Sequence, residues 1–338
     1  MRTLLAIESS CDETCAAVVR GREVLSSIVA SQEGLHDRFG GVVPEIAARR
    51  HLETVDIVVA KALEAVGGSG AIDAVAVTRG PGLVGALLVG VANAKARAMA
   101  WDVPLVAVDH LSGHVASALI ADPDLEPPFL CLLVSGGHTL LLDVLPGLEI
   151  RLLGTTRDDA AGEAFDKGAR LLGLPMPGGP SIEKAAAGGN RTAVPFTPAM
   201  VHHDTLDTSF SGIKTALAVH LRKGVEPGAD LAASYEHAIV QTLVANVRKG
   251  IARRRPEALA VVGGVAANTH LRELLAEVCA NDVKLVTVPL KYCGDNAAMI
   301  GVAAGYYCDL EPDQARTIDA YASSPLFRSG SLLPKQPS

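Results

Sequence analysis

The sequence predicts an α/β protein made of two similar halves, because one order of elements occurs twice along its 338 residues. In each half, a strand hairpin is followed by a strand, a glycine-containing turn, a helix, another strand, a polar loop and a helix. Short apolar runs between turn residues indicate buried strands, and longer runs with apolar residues three or four positions apart indicate helices. A chain of this length can also bury two separate cores.

The first half begins with a strand that leads into a polar turn, residues 8–14, which contains three acidic side chains. Two further strands and a long helix follow, and then a strand, a glycine–proline turn and a second helix. The last strand leads into a loop with two histidines. The predicted strands are 3–7, 16–19, 24–29, 72–77 and 103–108, and the predicted helices are 44–66, 84–100 and 115–121.

The second half repeats this order around a long insertion. Its predicted strands are 129–134, 140–145, 259–262 and 283–288, and its predicted helices are 271–279 and 297–306. We therefore expect an N-terminal half at 1–125, a C-terminal half at 126–322 with a helical insertion around 155–255, and a loose tail at 323–338.

The composition describes a well-packed globular protein, with 49% hydrophobic residues, 20% charged residues and a mean hydropathy of +0.29. The net charge of −7 argues against electrostatic attraction of nucleic acid by the protein as a whole. Local basic clusters, at 248–249 and 253–255, are interpreted as solvated helix ends.

Cysteine usage indicates a reducing compartment. The six cysteines include no CxxC pair, and several lie inside apolar runs, which is typical of reduced thiols in the cytoplasm. The apolar stretch before Glu8 is too short for a signal peptide. Residues 83–92 are apolar but are soon followed by Asn93 and Lys95, so they cannot span a bilayer. We expect a cytoplasmic protein that does not contact membranes.

Two histidines and one aspartate occupy equivalent places in the two halves, after a buried strand and before an apolar helix. His110 and His114 are four positions apart, a spacing that aims both imidazoles at one point, and Asp295 would add an oxygen ligand. A cleft between the halves would bring them together as a metal site with an open position. The alternative is a hydrogen-bonded pair without metal. Leu111 stands where a zinc protease needs Glu, which argues against a peptidase.

The first turn carries Glu8, Asp12 and Glu13 at a strand end. Carboxylates in this position could bind a metal or accept a proton during catalysis. Acidic residues are also common in exposed turns, and that reading stays open.

Glycine turns indicate an anion site. The backbone amides of Ser135, Gly136 and Gly137 could cradle a phosphate or carboxylate, and a second glycine pair at 263–264 enters a helix. Either pair alone could instead serve packing.

Two α/β halves that each open with a strand–turn–strand element resemble the duplicated ribonuclease-H-like architecture of the actin, Hsp70 and sugar-kinase (ASKHA) superfamily. That resemblance implies a nucleotide bound in the cleft between the halves.

The motifs together resemble the TsaD (Gcp/YgjD) family, the tRNA adenosine threonylcarbamoyltransferases, from about residue 3 to about residue 310. The motifs that carry the resemblance are 7–14, 40–49, 80–83, His110 with His114, 133–139, 158–167, 177–180, 210–215, 263–268 and 294–296.

The resemblance implies a role for each matching residue. His110, His114 and Asp295 would bind one divalent metal, iron or zinc, with iron favoured. Asp12 and Glu13 would be catalytic. The residues implied to bind an adenine nucleotide (threonylcarbamoyl-AMP, AMP or ATP) are Leu133, Val134, Ser135, Gly136, Gly137, Asp166, Gly179, Glu183 and Asn268.

The implied activity is transfer of threonylcarbamoyl from threonylcarbamoyl-AMP to the exocyclic amine of the adenosine next to the anticodon, in tRNAs that read codons beginning with A. The implied partners are tRNA, a TsaB-type paralogue, a TsaE-type ATPase and a TsaC-type synthase that supplies the adenylate. The alternatives are an ATPase or small-molecule kinase of the actin-like fold, a carbamoyltransferase acting on another substrate, a metalloprotease, and an inactive scaffold paralogue. The histidine pair disfavours a kinase, which uses carboxylates and Mg²⁺.

Overall fold

The computed structural model describes residues 1–36, 41–198, 200–201, 203–280 and 282–332. Gly40 of the motif at 40–49 and residues 333–338 of the predicted tail lie outside this range. The strands are β1 (Thr3–Glu8), β2 (Glu13–Arg20), β3 (Glu23–Ser31), β4 (Ala74–Gly80), β5 (Leu105–Asp109), β6 (Phe129–Val134), β7 (Thr139–Leu145), β8 (Glu149–Thr155), β9 (Ala258–Val262), β10 (Lys284–Thr287) and β11 (Ser331–Leu332). The helices are α1 (Glu33–His36), α2 (Pro44–Glu64), α3 (Val84–Trp101), α4 (His110–Ala121), α5 (Ala161–Leu171), α6 (Gly178–Ala185), α7 (Ser211–Arg222), α8 (Ala229–Arg254), α9 (Thr269–Cys279), α10 (Ala297–Ala304), α11 (Pro312–Thr317) and α12 (Leu326–Ser329).

The first sheet has five strands in the order β3-β2-β1-β4-β5. β1 pairs antiparallel with β2 and parallel with β4, and β5 continues the sheet parallel to β4. Every side chain of β1 is buried. This burial explains its continuous apolar sequence, since the central strand of such a sheet is covered on both faces. Glu8, at the C-terminal end of β1, is the one acidic side chain of that strand.

The second sheet has six strands in the order β10-β9-β6-β7-β8-β11, and β11 is its addition to the five-strand order of the first sheet. β6 pairs antiparallel with β7 and parallel with β9, and β10 lies parallel to β9. The strands therefore pair in the same order in both sheets, and the central strand β1 corresponds to β6. The order of elements that predicted two similar α/β halves is confirmed.

Contacts divide the chain into two units. Unit 1 contains the described residues of Met1–Pro127, Leu145–Arg151 and Gly294–Ser338, and unit 2 contains those of Pro128–Val144 and Leu152–Cys293. These units differ from the halves expected at 1–125 and 126–322, because the chain after Cys293 packs with unit 1. The predicted cleft between the halves stays a prediction.

The return of the chain to unit 1 depends on small residues in α10. A Cβ atom added to Gly301 would lie 2.6 Å from Cγ2 of Val19 and 3.2 Å from Cβ of Ala6. α10 therefore packs on β1 and β2 at a distance that only glycine permits here. Every residue of α10 is buried, and Asp295, two positions before the helix, is consequently held in unit 1.

The predicted loose tail at 323–338 is wrong for the part that the structure describes. Residues 326–329 form α12, and β11 pairs antiparallel with the start of β8. Ser324 and Leu326 are both fully buried. Two buried side chains and a short backbone ladder hold this segment, and neither produces a periodic apolar pattern.

We expect Gly301→Ala to lower the free energy of unfolding by about 1–3 kcal/mol, because the new methyl group overpacks against Val19. Gly85→Ala is the matched control. Among the described residues, a Cβ there would meet only Cβ of Ala48, at 3.6 Å, and alanine favours a helix over glycine by up to about 1 kcal/mol. Urea denaturation of both variants measures the difference. Equal stabilities would contradict the packing argument.

Candidate metal centre and nucleotide pocket

The start of α4 is fixed by Asp109, the last residue of β5. Its carboxylate caps the helix by accepting a hydrogen bond from the backbone N–H of Leu111, at 2.9 Å. The other carboxylate oxygen accepts hydrogen bonds from the hydroxyls of Tyr321 (2.6 Å) and Ser324 (2.8 Å). The C-terminal segment of unit 1 therefore holds the residue that begins the histidine-bearing helix.

His110, His114 and Asp295 converge on one point in unit 1. Oδ1 of Asp295 lies 3.2 Å from Nε2 of His114 and 3.5 Å from Nε2 of His110. One ligand atom from each residue lies within 4.8 Å of the other two. Both histidines are buried and Asp295 is partly exposed. The convergence was expected across a cleft between two halves; instead all three residues belong to one unit, because α10 packs beside α4.

This donor set fits a divalent metal. Two imidazole nitrogens and one carboxylate oxygen suit iron or zinc and leave coordination positions open. Nδ1 of His114 is buried and has no hydrogen-bond partner among the described residues, so no hydrogen bond on this nitrogen orients the ring. The donor set does not distinguish iron from zinc.

The charges around this point are strongly coupled. Burial lowers the pKa of His110, but the nearby charges of Asp295 and Glu8 outweigh it and raise the pKa to about 9. Burial also raises the pKa of Glu13, and the charges of Asp295 and Asp12 add to it, so that the pKa reaches about 9. Glu8, Asp12 and Glu13 thus share one electrostatic environment with Asp295.

Asp12 and Glu13 occupy the turn between β1 and β2. The carbonyl of Asp12 accepts a hydrogen bond from the backbone N–H of Gln32, at 3.1 Å, and Glu13 begins β2 opposite Ser31. Both side chains are partly exposed. The turn therefore presents two carboxylates on a fixed backbone in the same unit as the metal-site residues.

Unit 2 contains a cavity of about 280 Å³. Five of the predicted nucleotide-binding residues line it, namely Gly136, Asp166, Gly179, Glu183 and Asn268. The other lining residues lie inside quoted motifs, but the sequence did not assign each of them a role of its own. They are Gly162, Phe165, Pro177, Pro180, Gly264, Val265 and Ala267.

The other four predicted residues do not line the cavity as the structure describes it. Leu133 and Val134 are fully buried in β6. The backbone N–H of Ser135 donates to the carbonyl of His138 at 2.8 Å, so it is engaged within its own turn. That hydrogen bond removes one of the three amides expected to face an anion. Gly137 is not among the residues that line the cavity.

Hydrogen bonds fix the polar side chains of the cavity. Oδ1 of Asp166 accepts from the backbone N–H of Gly178 at 2.8 Å, and burial raises the pKa of Asp166. Oε1 of Glu183 accepts from the backbone N–H of Thr269 at 3.1 Å. Asn268 caps α9 through Oδ1, and its Nδ2 donates to Oε1 of Glu236 at 2.8 Å. Sequence reasoning missed Glu236, which lies in α8 outside every motif.

The fold belongs to a known class. HypF from T. kodakarensis superposes with a TM-score of 0.62 and 15% identity, over 90% of this chain and 48% of that protein. Component A of the (R)-2-hydroxyglutaryl-CoA dehydratase from Acidaminococcus fermentans superposes with a TM-score of 0.54 and 15% identity, over 94% of this chain and 100% of that protein. These likenesses show the fold alone, and they confirm the predicted actin-like α/β class.

The sequence comparison is more specific. The model of the TsaD family, tRNA N6-adenosine threonylcarbamoyltransferase, matches residues 23–302. A protein of that name from Clostridium botulinum (strain 657) is 52% identical over 309 residues, 89% of this chain and 91% of the relative. Another, from Clostridium perfringens (strain 13), is 51% identical over 311 residues, 90% of this chain and 92% of the relative. The chain belongs to the TsaD family.

A search of the described helices for a long, apolar membrane-crossing segment finds none.

A histidine pair behind the cavity makes folding sensitive to pH. Nε2 of His270, at the start of α9, lies 2.8 Å from Nδ1 of His237. Burial, together with the charges of Arg191 and His237, lowers the pKa of His270 to about 4. An unfolded histidine has a pKa of about 6.5. The folded state therefore binds fewer protons between pH 6.5 and pH 4, and stability is lost as the pH falls through this window.

We expect His270→Asn to reduce this loss of unfolding free energy by at most about 1.4 kcal/mol for each pH unit. Urea denaturation at pH 7.5 and pH 5 measures it. The control is His203→Asn, because the side chain of His203 is exposed. A pH dependence that is the same in both variants would show that His270 does not contribute.

Proposed function

We propose that this chain transfers a threonylcarbamoyl group to N6 of an adenosine in tRNA. The observation that carries the proposal is the identity of about half of all aligned residues with enzymes of that name, over about nine-tenths of the chain. The convergence of His110, His114 and Asp295 supports it, because the metal-ligand pattern implied by the family resemblance is assembled in space.

The proposed donor is threonylcarbamoyl-AMP, and the acceptor is the adenosine next to the anticodon in tRNAs that read codons beginning with A. N6 of adenosine attacks the carbamoyl carbon, a C–N bond forms, the bond from that carbon to the phosphate oxygen breaks, and AMP leaves. The amine is a weak nucleophile because its lone pair is delocalised into the ring. Catalysis must therefore stabilise the charge on the carbonyl oxygen and on the departing phosphate.

The cavity of unit 2 is the proposed site for the adenylate. The carboxylates of Asp166 and Glu183 can accept hydrogen bonds from ribose hydroxyls, and Gly136 and Gly179 leave space for a ligand to approach the backbone closely. Both carboxylates are already held by backbone N–H groups, so they are oriented before a ligand binds. Leu133, Val134, Ser135, Gly137 and Asn268 are proposed to support this site from β6, from the turn that follows it and from the start of α9.

His110, His114 and Asp295 are proposed to hold one divalent iron or zinc ion, with iron favoured. Such an ion supplies Lewis-acid stabilisation of negative charge on oxygen. Asp12 and Glu13 are proposed to be catalytic, and Asp12 to receive the proton that N6 loses, because the raised pKa of Glu13, about 9, favours its protonated form at neutral pH. Their turn is held on both sides by β1 and β2, so Asp12 can take a proton without rearrangement of the backbone.

The proposed partners are tRNA as substrate, a TsaC-type synthase that makes the adenylate, a TsaB-type paralogue and a TsaE-type ATPase. The net charge of −7 supports a need for partners, because a chain of this charge does not attract tRNA as a whole. The reaction is proposed to take place in the cytoplasm, where tRNA is available.

We expect His110→Ala and Asp295→Ala each to lower the rate of transfer at least about 100-fold, because each removes a ligand from the proposed metal site. The assay follows labelled threonylcarbamoyl from its adenylate to unmodified tRNA, with the partner proteins present, and elemental analysis measures bound metal. His203→Ala and Asp313→Ala are matched controls, because both side chains are exposed.

If the wild-type chain transfers nothing with its partners but hydrolyses ATP, the proposed activity is wrong and an ATPase or kinase of the same fold replaces it. If transfer survives in both ligand variants, the metal site has no part in the reaction.

The cavity in unit 2 can be tested through Gly162. A Cβ there would lie 2.5 Å from the carbonyl oxygen of Ser135 and 2.8 Å from Cα of Gly136. We expect Gly162→Ala to displace this turn and weaken AMP binding about tenfold or more, equivalent to about 1.4 kcal/mol. Isothermal titration calorimetry measures the affinity. Gly212→Ala, where a Cβ would have no atom of the described part of the chain within 4 Å, should bind AMP like the wild type. Unchanged affinity in Gly162→Ala would place the nucleotide elsewhere.

A further inference from the structure

Glu8 is a fully buried carboxylate next to the proposed metal site. A buried carboxylate is costly unless hydrogen bonds compensate for lost hydration. Glu8 has three such partners within 3 Å: the backbone N–H of Ser10 at 2.5 Å, the hydroxyl of Thr78 at 2.6 Å and Nδ1 of His110 at 2.9 Å.

The two oxygens of Glu8 are engaged differently. Oε1 accepts from the backbone N–H of Ser10, which can only donate. Oε2 faces the hydroxyl of Thr78 and Nδ1 of His110. An ionised carboxylate accepts hydrogen bonds and donates none, so Nδ1 of His110 must carry the proton in this contact. In a neutral ring, Nε2 is then left with its lone pair, on the side that faces Asp295.

We propose that Glu8 is a positioning residue that fixes the tautomer of His110 and thereby makes its Nε2 a metal ligand. The inference rests on the proposed metal site. Glu8 is not itself a ligand, because it contacts the opposite nitrogen of the ring. His114 provides an internal contrast, because its buried Nδ1 has no such hydrogen-bond partner among the described residues. A carboxylate behind a ligating histidine raises ligand basicity and fixes ring orientation.

Replacement of Glu8 by glutamine isolates this role, because the two side chains have nearly the same shape. The amide oxygen must face the N–H of Ser10, since two donors cannot face each other there. The NH₂ group is then directed at Thr78 and Nδ1 of His110. To accept from it, His110 has to place its proton on Nε2, which blocks the lone pair needed for the metal. The hydroxyl of Ser10, 3.3 Å from the same Nδ1, offers only a longer alternative contact.

We expect Glu8→Gln to weaken Zn²⁺ binding about 10- to 100-fold, measured by competition with a chromogenic chelator in the absence of nucleotide and tRNA. Glu8→Asp keeps two acceptor oxygens on a shorter side chain and should retain more affinity than glutamine. The matched control is Asp143→Asn, another buried carboxylate, which is paired with Arg254 in unit 2. If Glu8 only fills space, the order reverses and glutamine binds zinc better than aspartate does.

A second measurement does not depend on any variant. In the zinc-loaded wild type, ¹⁵N NMR should show a protected proton on Nδ1 of His110 and none on Nε2. A proton on Nε2, or Glu8→Gln affinity equal to that of Asp143→Asn, would overturn the proposal. If the wild type binds no zinc, the role of Glu8 fails together with the metal site, whereas the tRNA transfer assay still decides the proposed function.

Discussion

The contact between α4 and α10 is the constraint on which the proposed metal centre depends. α4 carries both histidines, and Asp295 lies immediately before α10, nearly two hundred residues later in the chain. A Cβ on Gly113, between the two histidines, would lie 2.5 Å from Cδ1 of Ile300 in α10. The two helices approach this closely because Gly113 has no side chain and leaves room for Ile300. A larger residue at position 113 would move the carboxylate away from both imidazoles, and the two helices would then hold no common site.

The same contact concentrates negative charge. Glu8, Glu13 and Asp295 influence one another, and His110 is the group whose charge offsets the negative charge on Glu8. Burial makes such repulsion costly, because the surrounding protein screens it poorly. A cation bound by His110, His114 and Asp295 would reduce this cost. The proposed metal centre thus places several like charges close together at a cost in stability, as is common at active sites.

Local patterns predicted the helices and strands well, but they predicted less well which sheet each element packs on. The helix expected at 44–66 is observed as α2, and the strand expected at 24–29 as β3, because proline, turn residues and apolar periodicity act within a few positions of each other. The division of the chain was harder. The helix expected at 297–306 is observed as α10, but its partner is set by Val19 and Ala6, far away in sequence. Nothing in a periodic pattern says which of two similar sheets a helix will cover.

The proposed metal centre and cavity show the same limit, because local sequence patterns do not reveal contacts between distant residues. The resemblance to a family named most of the residues that the structure brings together, including His110 and His114. It did not identify the groups that orient them. Glu236, behind Asn268, stands in an ordinary helical stretch, and the acceptor role of Glu8 depends on a backbone N–H whose direction only a folded turn defines. For Ser135 the sequence predicted a ligand contact that the structure does not provide. Its backbone N–H, expected to face an anion, instead donates within its own turn to the carbonyl of His138.

The duplicated fold explains how one architecture supports two kinds of site. The turn after β1 and the turn after β6 occupy corresponding places, since the two strands pair alike in their sheets. In unit 1 that turn holds Asp12 and Glu13, whereas in unit 2 it holds Gly136 and Gly137. Carboxylates at this place favour cations and protons, while glycines expose backbone to an approaching ligand and favour an anion. The two turns therefore differ in the charge that they favour, although the strands beneath them pair alike.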